Sequence, residues 1–141
     1  MKKKLMLECV IAVAIVAILG LALYWVLGDP VVDVSQVNGI TAYGKNRETG
    51  KVSSAALESV DVDKVIEIFN GKKKTSDSPG DLFSENCAFV LTDGDTEYYY
   101  YLAQDGSGSV CSANDDMYFE ISASERATLV KLLSDYCGYS E

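Results

Sequence analysis

The residues from Cys9 to Leu27 form a run of 19 without a charged side chain. An α-helix needs about 20 mostly apolar residues to cross the hydrocarbon core of a bilayer. We therefore predict that residues 1–28 hold a transmembrane anchor with a lysine-rich cytoplasmic start at Lys2–Lys4. Because basic flanks stay on the cytoplasmic side, the rest of the chain is expected outside the cytoplasm, on the cell membrane.

The far end of this run carries its own signals. Tyr24 and Trp25 are expected in the outer headgroup layer, which amphipathic rings prefer. The helix is expected to stop at Gly28-Asp29-Pro30, because a proline disfavours helix at the residue before it. The small residues of Gly20-Leu21-Ala22 match a signal cleavage site. The apolar run continues past them, so an uncleaved signal anchor is favoured and cleavage stays open as the alternative.

The segment Leu7–Leu19 begins with the pair Leu7-Glu8 and continues as a run rich in alanine, isoleucine and valine. It resembles the start of type IV pilin-like proteins, in which a glutamate opens a helix that packs into a filament. The resemblance implies a filament or secretion-apparatus subunit. Lys3 or Lys4 occupies the place of that family's glycine before its processing site, so a plain anchor is preferred and the pilin-like subunit is kept as an alternative.

The chain beyond the anchor is acidic. From Gly28 onward it carries 9 Lys and Arg against 20 Asp and Glu, which disfavours nucleic acid and anionic headgroups as partners. A basic or polycationic partner, such as a protein of the bacterial cell envelope, or no partner at all, fits better, and the oligomeric state is left open. The length suits one compact core. We expect a linker over residues 29–39, with a first strand at Val31–Val37 as the alternative, and an extracytoplasmic domain over residues 40–141.

Two amphipathic helices are predicted in this domain. The first carries an apolar stripe at helical spacing, formed by Val62, Val65, Ile66 and Phe69. Asp61 is expected at its N-cap, Val60 and Val65 as a hydrophobic staple around that cap, and Gly71 at its end. The second begins with a capping box at Ser122–Glu125 and ends at Gly138. Its stripe consists of Leu129, Leu132, Leu133 and Tyr136.

Strand patterns separated by turn residues fill the remaining length. The predicted strands cover residues 40–43, 52–60, 87–92, 97–103, 109–112 and 117–121. Consecutive strands joined by short turns favour antiparallel pairing. The fold class is therefore α+β: a small antiparallel sheet of five or six strands packed against two helices.

The residue types limit the chemistry. The chain has no histidine, the commonest general base and metal ligand, and no Ser-x-x-Lys motif. A binding or accessory module is expected rather than an enzyme, with an enzyme that works without histidine as the remaining alternative. Asp93-Gly94-Asp95 resembles the start of a calcium loop, but Tyr98 and Gln104 stand where such a loop needs glycine and glutamate. A hairpin turn is predicted there, with no metal and no cofactor.

Two surface features are candidates for recognition. Strand alternation sends Tyr99 and Tyr101 to the face opposite Tyr98 and Tyr100, and exposed tyrosines make good contact area. Cross-strand packing explains the same residues as well. The basic run consists of Lys72, Lys73 and Lys74. It is interpreted as a solvated loop after a helix end, with contact to an anionic wall polymer or headgroups as the alternative.

Three cysteines lie beyond the anchor. An oxidising compartment permits one disulfide among Cys87, Cys111 and Cys137, and each is equally well explained as a small buried hydrophobic residue. Their spacing matches no zinc motif.

The segment Lys51–Pro79 contains a strand, the helical run Val60–Phe69 and the motif Lys73-Lys74-Thr75-Ser76-Asp77. In these features it resembles an uncharacterised family of small, N-terminally anchored extracytoplasmic domains of Gram-positive bacteria. The aromatic strand Tyr98–Leu102 is similar in character. The resemblance implies the topology and localisation given above and no particular activity.

Overall fold

The computed structural model describes residues 2–27 and 30–141, and the side chains of residues 24–27 lie outside the description. The chain divides into two compact units at Pro30. The first contains a single helix, α1 (Lys2–Leu27). Its segment Lys2–Leu23 is long and apolar enough to cross a membrane, and its described side chains are exposed. A helix of this kind either anchors a chain in a membrane or acts as a signal sequence.

Two predictions for the end of this helix fall outside the described residues. They are the interfacial placement of the Tyr24 and Trp25 side chains and the helix stop at Gly28 and Asp29.

The second unit is the predicted α+β domain, and this fold class is confirmed. Its elements are β1 (Gly39–Lys45), β2 (Val52–Ala56), α2 (Ser59–Phe69), β3 (Phe83–Asp93), β4 (Thr96–Ala103), β5 (Ser109–Ser112), β6 (Met117–Glu120) and α3 (Ala123–Cys137). The strands form one six-stranded sheet in the order β2-β1-β3-β4-β5-β6. Every neighbouring pair is antiparallel. Strands β3 to β6 follow one another as a meander, and α2 makes the crossover from β2 to β3.

The predicted linker over residues 29–39 is wrong for most of its length. Val32 and Val34 are buried in the core of the domain, with 1% and 2% of their surface exposed. The Val32 N–H donates to the Lys72 carbonyl at 2.8 Å and its own carbonyl accepts from the Gly71 N–H at 2.7 Å. The Asn70 side chain accepts from the Val34 N–H at 3.0 Å. Alternating valines thus bind this segment beside the end of α2.

The start of α2 also differs from prediction. The predicted strand 52–60 ends at Ala56, and the next residues enter α2 with Glu58 at the N-cap. The expected staple does not form, because Val60 is 58% exposed. Asp61 lies inside the first turn, where it accepts the Tyr136 hydroxyl at 2.7 Å. The pairing of β2 with β1 ends at the bond from the Leu57 N–H to the Ile40 carbonyl, and this pairing fixes where the helix begins.

The far end of α2 has a related arrangement. Asn70 is the C-cap, and its N–H donates to the Ile66 carbonyl. Gly71 adopts a positive φ of 80°, as expected for a glycine after a helix. Its N–H bonds to Val32 rather than to the helix, so Gly71 joins α2 to the preceding valine segment.

Helix α3 has the predicted boundaries. The Ser122 side chain accepts from the Glu125 N–H and the Glu125 carboxylate accepts from the Ser122 N–H, which completes the capping box, and Gly138 forms a left-handed C-cap. The C-terminal end of α3 lies close to β1. A Cβ added to Gly44 would come within 2.8 Å of the Cys137 Cβ and 3.0 Å of the Tyr139 Cβ, so this approach requires glycine.

Phe69 is the centre of the core. It is fully buried, and its ring contacts three aromatic rings from three strands. The ring centroids are 6.3 Å from Phe89, 5.2 Å from Tyr100 and 5.4 Å from Phe119. These contacts bind α2 to β3, β4 and β6. Leu129 and Leu133 of α3 are buried on the same side of the sheet.

Replacing Phe69 with alanine should destabilise the domain by ~3–5 kcal/mol, because the substitution removes an aromatic ring from a close-packed core. Thermal or urea unfolding of the unit 31–141, which contains all the core residues, measures this loss. Val60→Ala on the exposed side of the same helix is the matched control and should change stability by less than about 0.5 kcal/mol. Equal stability of the Phe69→Ala variant and the parent would contradict this packing.

Candidate functional site

The sheet has one covered and one open face. The covered face carries the buried side chains of Ile40, Ala42, Cys87, Phe89, Leu91, Tyr100, Leu102 and Val110. The opposite face of β1, β3 and β4 carries Tyr43, Tyr99 and Tyr101, and the Tyr99 side chain is 38% exposed. Within residues 31–141, the lining of the groove on this face comes from sheet strands alone. This face is therefore accessible from solvent in the described domain.

A groove of about 290 Å³ runs across this open face. Its floor is Ala88, which the register places between Tyr43 of β1 and Tyr101 of β4. Val90 extends the floor opposite Tyr99. The central strand carries small side chains here, whereas the strands on either side carry tyrosines. The aromatic rings therefore form the walls of the groove, and the small side chains form its floor. We call this feature the tyrosine groove, lined by Tyr43, Val52, Glu85, Asn86, Ala88, Val90, Tyr99 and Tyr101.

One end of the tyrosine groove is polar. Strand β3 has an irregular register between Phe83 and Ala88, and Glu85 and Asn86 fall within this irregular stretch and line the groove. A β-bulge of this kind re-aims side chains that a regular strand would place elsewhere. Glu85 is exposed, so the groove combines aromatic walls with a carboxylate at its end.

Glu97 adds a second carboxylate beside Tyr99. The Tyr99 hydroxyl donates to Glu97 Oε2 at 2.6 Å, and this hydrogen bond is the largest cause of the raised pKa of Tyr99. This hydrogen bond favours the protonated form of the phenol. Asn114 fixes the backbone here, because it accepts from the Tyr99 N–H and donates to the Glu97 carbonyl, both at 2.8 Å.

Strand alternation predicts that Tyr99 and Tyr101 lie on the face away from the core. In the structure both side chains are on that face. On the opposite face, Tyr100 is buried, at 4% exposed, and Tyr98 packs partly buried against the core. Burial raises the pKa of Tyr100 to about 12. The sequence analysis missed Tyr43 and Glu85. Tyr43 joins the other tyrosines only because the α2 crossover places β1 beside β3, and no local pattern reports that neighbourhood.

The three lysines after α2 do not form a free basic patch. Lys72 Nζ contacts the Glu125 carboxylate at 2.8 and 2.9 Å, and Lys74 Nζ contacts Asp115 at 2.6 Å. Lys73 is exposed, and its backbone forms a bridge with Val31. Two of the three charges are therefore already paired with carboxylates of the domain.

The candidate disulfide is absent from this structure, where Cys87, Cys111 and Cys137 are free thiols. The register places Cys111 opposite Tyr101 on the open face, whereas Cys87 lies opposite Gly44 on the helix-covered face. Burial is the largest cause of a raised pKa at each of the three thiols. Reactive cysteines need the opposite shift, because the thiolate is the nucleophile.

The acidic turn at Asp93–Asp95 is a hairpin, as predicted. Asp93 of β3 pairs with Thr96 of β4, and Gly94 occupies the first central position with φ 59°. Glycine there is typical of a two-residue type II′ turn. Among the described residues, no cluster of three or more histidine, cysteine, aspartate or glutamate side chains has the geometry to hold a metal ion.

No family model, curated protein or solved structure matches this chain. The resemblances to pilin-like proteins and to anchored Gram-positive domains therefore stay predictions.

Glu125 links two parts of the domain, because it caps α3 and binds Lys72 in the segment after α2. Its pKa lies below the usual 4.5, chiefly through the hydrogen bond from Lys72 and then that from the Ser122 backbone. A lowered native pKa contributes stability that is fully present above the unfolded pKa and is lost as pH falls through the native pKa. Glu125→Gln should therefore lower the free energy of unfolding by roughly 1 kcal/mol near pH 7. This difference in stability between variant and parent should disappear as the pH falls below about 4.5.

Urea unfolding of the unit 31–141 between pH 3 and 7 measures this difference. Asp135→Asn is the matched control on the same helix, because its pair with Lys131 is exposed on both sides, at 55% and 75%, and should contribute little. If the difference in stability between Glu125→Gln and the parent does not change with pH, the loss of stability comes from packing and not from charge.

Proposed function

We propose that this protein is a membrane-anchored binding module of the bacterial cell envelope, with its domain outside the cytoplasm and the tyrosine groove as its binding surface. The observation that carries the proposal is the groove itself: aromatic walls at Tyr43, Tyr99 and Tyr101 on an open sheet face. Tyrosine is enriched in protein interfaces because its ring supplies contact area and its hydroxyl a hydrogen bond.

The charges in the groove and beside it indicate the class of partner. Glu85 stands at one end, and Glu97 lies beside Tyr99. A carboxylate next to tyrosine faces favours a cation, which gains both an ion pair and a cation–π contact. The acidic excess of the whole chain, 21 Asp and Glu against 12 Lys and Arg, attracts the same kind of partner over longer distances. We infer an exposed segment of a protein that carries arginine or lysine side chains.

The anchoring part of the proposal rests on α1 and its flank. The helix is long and apolar enough to span a membrane, and three lysines precede the apolar run. Basic flanks tend to remain in the cytoplasm, which supports a location of the domain on the other side. Binding without catalysis is supported by the lack of histidine and by the raised thiol pKa values described above.

Peptides that alternate arginine and glycine should bind the full chain in nanodiscs, whereas matched glutamate–glycine peptides should not. Tyr99→Thr with Tyr101→Thr keeps good strand formers and should weaken binding at least tenfold, because buried aromatic contacts dominate interface energies. Titration followed by NMR shifts of labelled tyrosines or by calorimetry measures the affinity.

Two variants that each remove one negative charge test whether the polar end of the groove contributes to binding. Glu85→Gln should weaken the arginine peptide, and Glu67→Gln, an exposed glutamate on α2, should not. Equal effects of the two changes, or equal binding of both peptides, would refute a cation-selective groove.

Protease added to intact spheroplasts should digest the domain, because the positive-inside rule exports it. Intact-mass analysis of membrane-extracted protein should give the chain from Met1 or Lys2 to Glu141. Protection of the domain with intact cytoplasmic markers would reverse the orientation. A mature N-terminus at Leu23 would indicate a cleaved signal, and one at Lys4 or Leu5 would favour the pilin-like alternative.

A further inference from the structure

A pocket of about 340 Å³ lies where the segment after α3 meets the end of β1. The Ser140 N–H donates to the Lys45 carbonyl at 3.4 Å, and the Ser140 hydroxyl accepts from the Arg47 N–H at 2.8 Å. These hydrogen bonds hold the two segments side by side. The volume lies at the lower end of the range for small-ligand sites. We call this feature the basic pocket, lined by Lys45, Arg47, Gln104, Tyr139, Ser140 and Glu141.

A buried arginine lies at the inner end of this pocket. The side chain of Arg126, from α3, is 10% exposed. Its Nη2 group donates to the Ala103 carbonyl at 3.2 Å and forms an ion pair with Glu141 Oε1. Glu141 lines the pocket, and so does Gln104, the neighbour of Ala103. The guanidinium of Arg126 is therefore positioned behind the pocket wall.

The hydrogen-bonding capacity of this guanidinium is used only in part. Nε of Arg126 is buried and has no hydrogen-bond partner among the described residues. Such groups are exceptions in folded proteins and require an explanation. Nε and Nη2 lie on one edge of the planar guanidinium, and this edge can bind a carboxylate through two parallel hydrogen bonds. The ion pair with Glu141 runs through Nη2, so it satisfies half of that edge.

The charges around the basic pocket favour an anion. Lys45 and Arg47 are exposed, and neither belongs to an ion pair among the described residues. Of the residues that line the pocket, only Glu141 carries a carboxylate. The domain as a whole is acidic, but charges farther away than about 8 Å are largely screened at physiological ionic strength. The local positive charge therefore determines which ligand the pocket attracts.

We propose that the basic pocket binds the carboxylate group of a small ligand, and that Glu141 occupies this site in the absence of the ligand. The carboxylate of the ligand displaces Glu141 and accepts hydrogen bonds from both Nε and Nη2 of Arg126. Lys45 and Arg47 supply the surrounding positive charge. This inference is independent of the proposed function.

Glu141 is suited to such an exchange. Its side chain is 47% exposed, so it can turn into solvent without opening the core. Arg126 stays in place, because the Ala103 carbonyl holds its Nη2 group. Gln104 and Ser140 add polar side chains to the lining that can bond to the rest of the ligand. Free organic acids and the terminal carboxylates of peptides both present this chemistry.

NMR of the full chain in detergent micelles tests the site directly. The chain has two arginines, Arg47 and Arg126, so isotope-labelled arginine gives two Nε–H signals that are simple to assign. N-acetylglycine should shift the Arg126 signal saturably, because the Nε proton gains an acceptor. The neutral amide N-acetylglycinamide should not. Tighter binding of N-acetylglycine than of acetate would identify peptide ends as the ligand, and equal binding would identify small organic acids.

Variants test the competition with Glu141. Glu141→Gln should strengthen the binding of N-acetylglycine roughly tenfold, because the ligand no longer competes with a tethered carboxylate. Lys45→Gln and Arg47→Gln should each weaken it about two- to fivefold, the range of an exposed charge pair. Lys51→Gln is the matched control, because it removes an exposed lysine of the same hairpin that does not line the pocket, and it should have no effect.

Calorimetry measures these affinities, and thermal melts check that each variant is folded. Equal binding of N-acetylglycine and its amide would overturn the proposal, as would tighter binding of inorganic phosphate than of both acids. Unchanged affinity in the Glu141→Gln variant, or no saturable shift of the Arg126 signal in that variant, would also overturn it.

Discussion

The packing of Phe69 against the sheet determines which parts of the domain are buried and which are open. Its ring contacts Phe89, Tyr100 and Phe119, from three different strands. Since α2 is bound to this face, α3 joins it there through Leu129 and Leu133. Alternation then sends the remaining side chains of the strands to the other face, where Tyr99 is exposed and the smaller Ala88 and Val90 are buried. The tyrosine groove is thus a consequence of where one phenylalanine is buried.

The same packing accounts for the unequal edges of the sheet. The chain leaves α2 at Asn70, pairs with the valine segment through Gly71 and Lys72, and then reaches Thr75, which bridges β6. This path is set by the end of α2. It protects the far edge and leaves β2, which precedes α2, without cover.

Local signals in the sequence predicted the elements whose ends are defined locally. The capping box at Ser122–Glu125 and Gly138 fixed α3, and Gly94 fixed the β3–β4 hairpin. The start of α2 was missed because it depends on the pairing of Leu57 with Ile40, which periodicity does not report. Tyr43 was missed for the same reason, since only the strand order brings it beside Tyr101. Long-range pairing, and not side-chain preference, accounts for these errors.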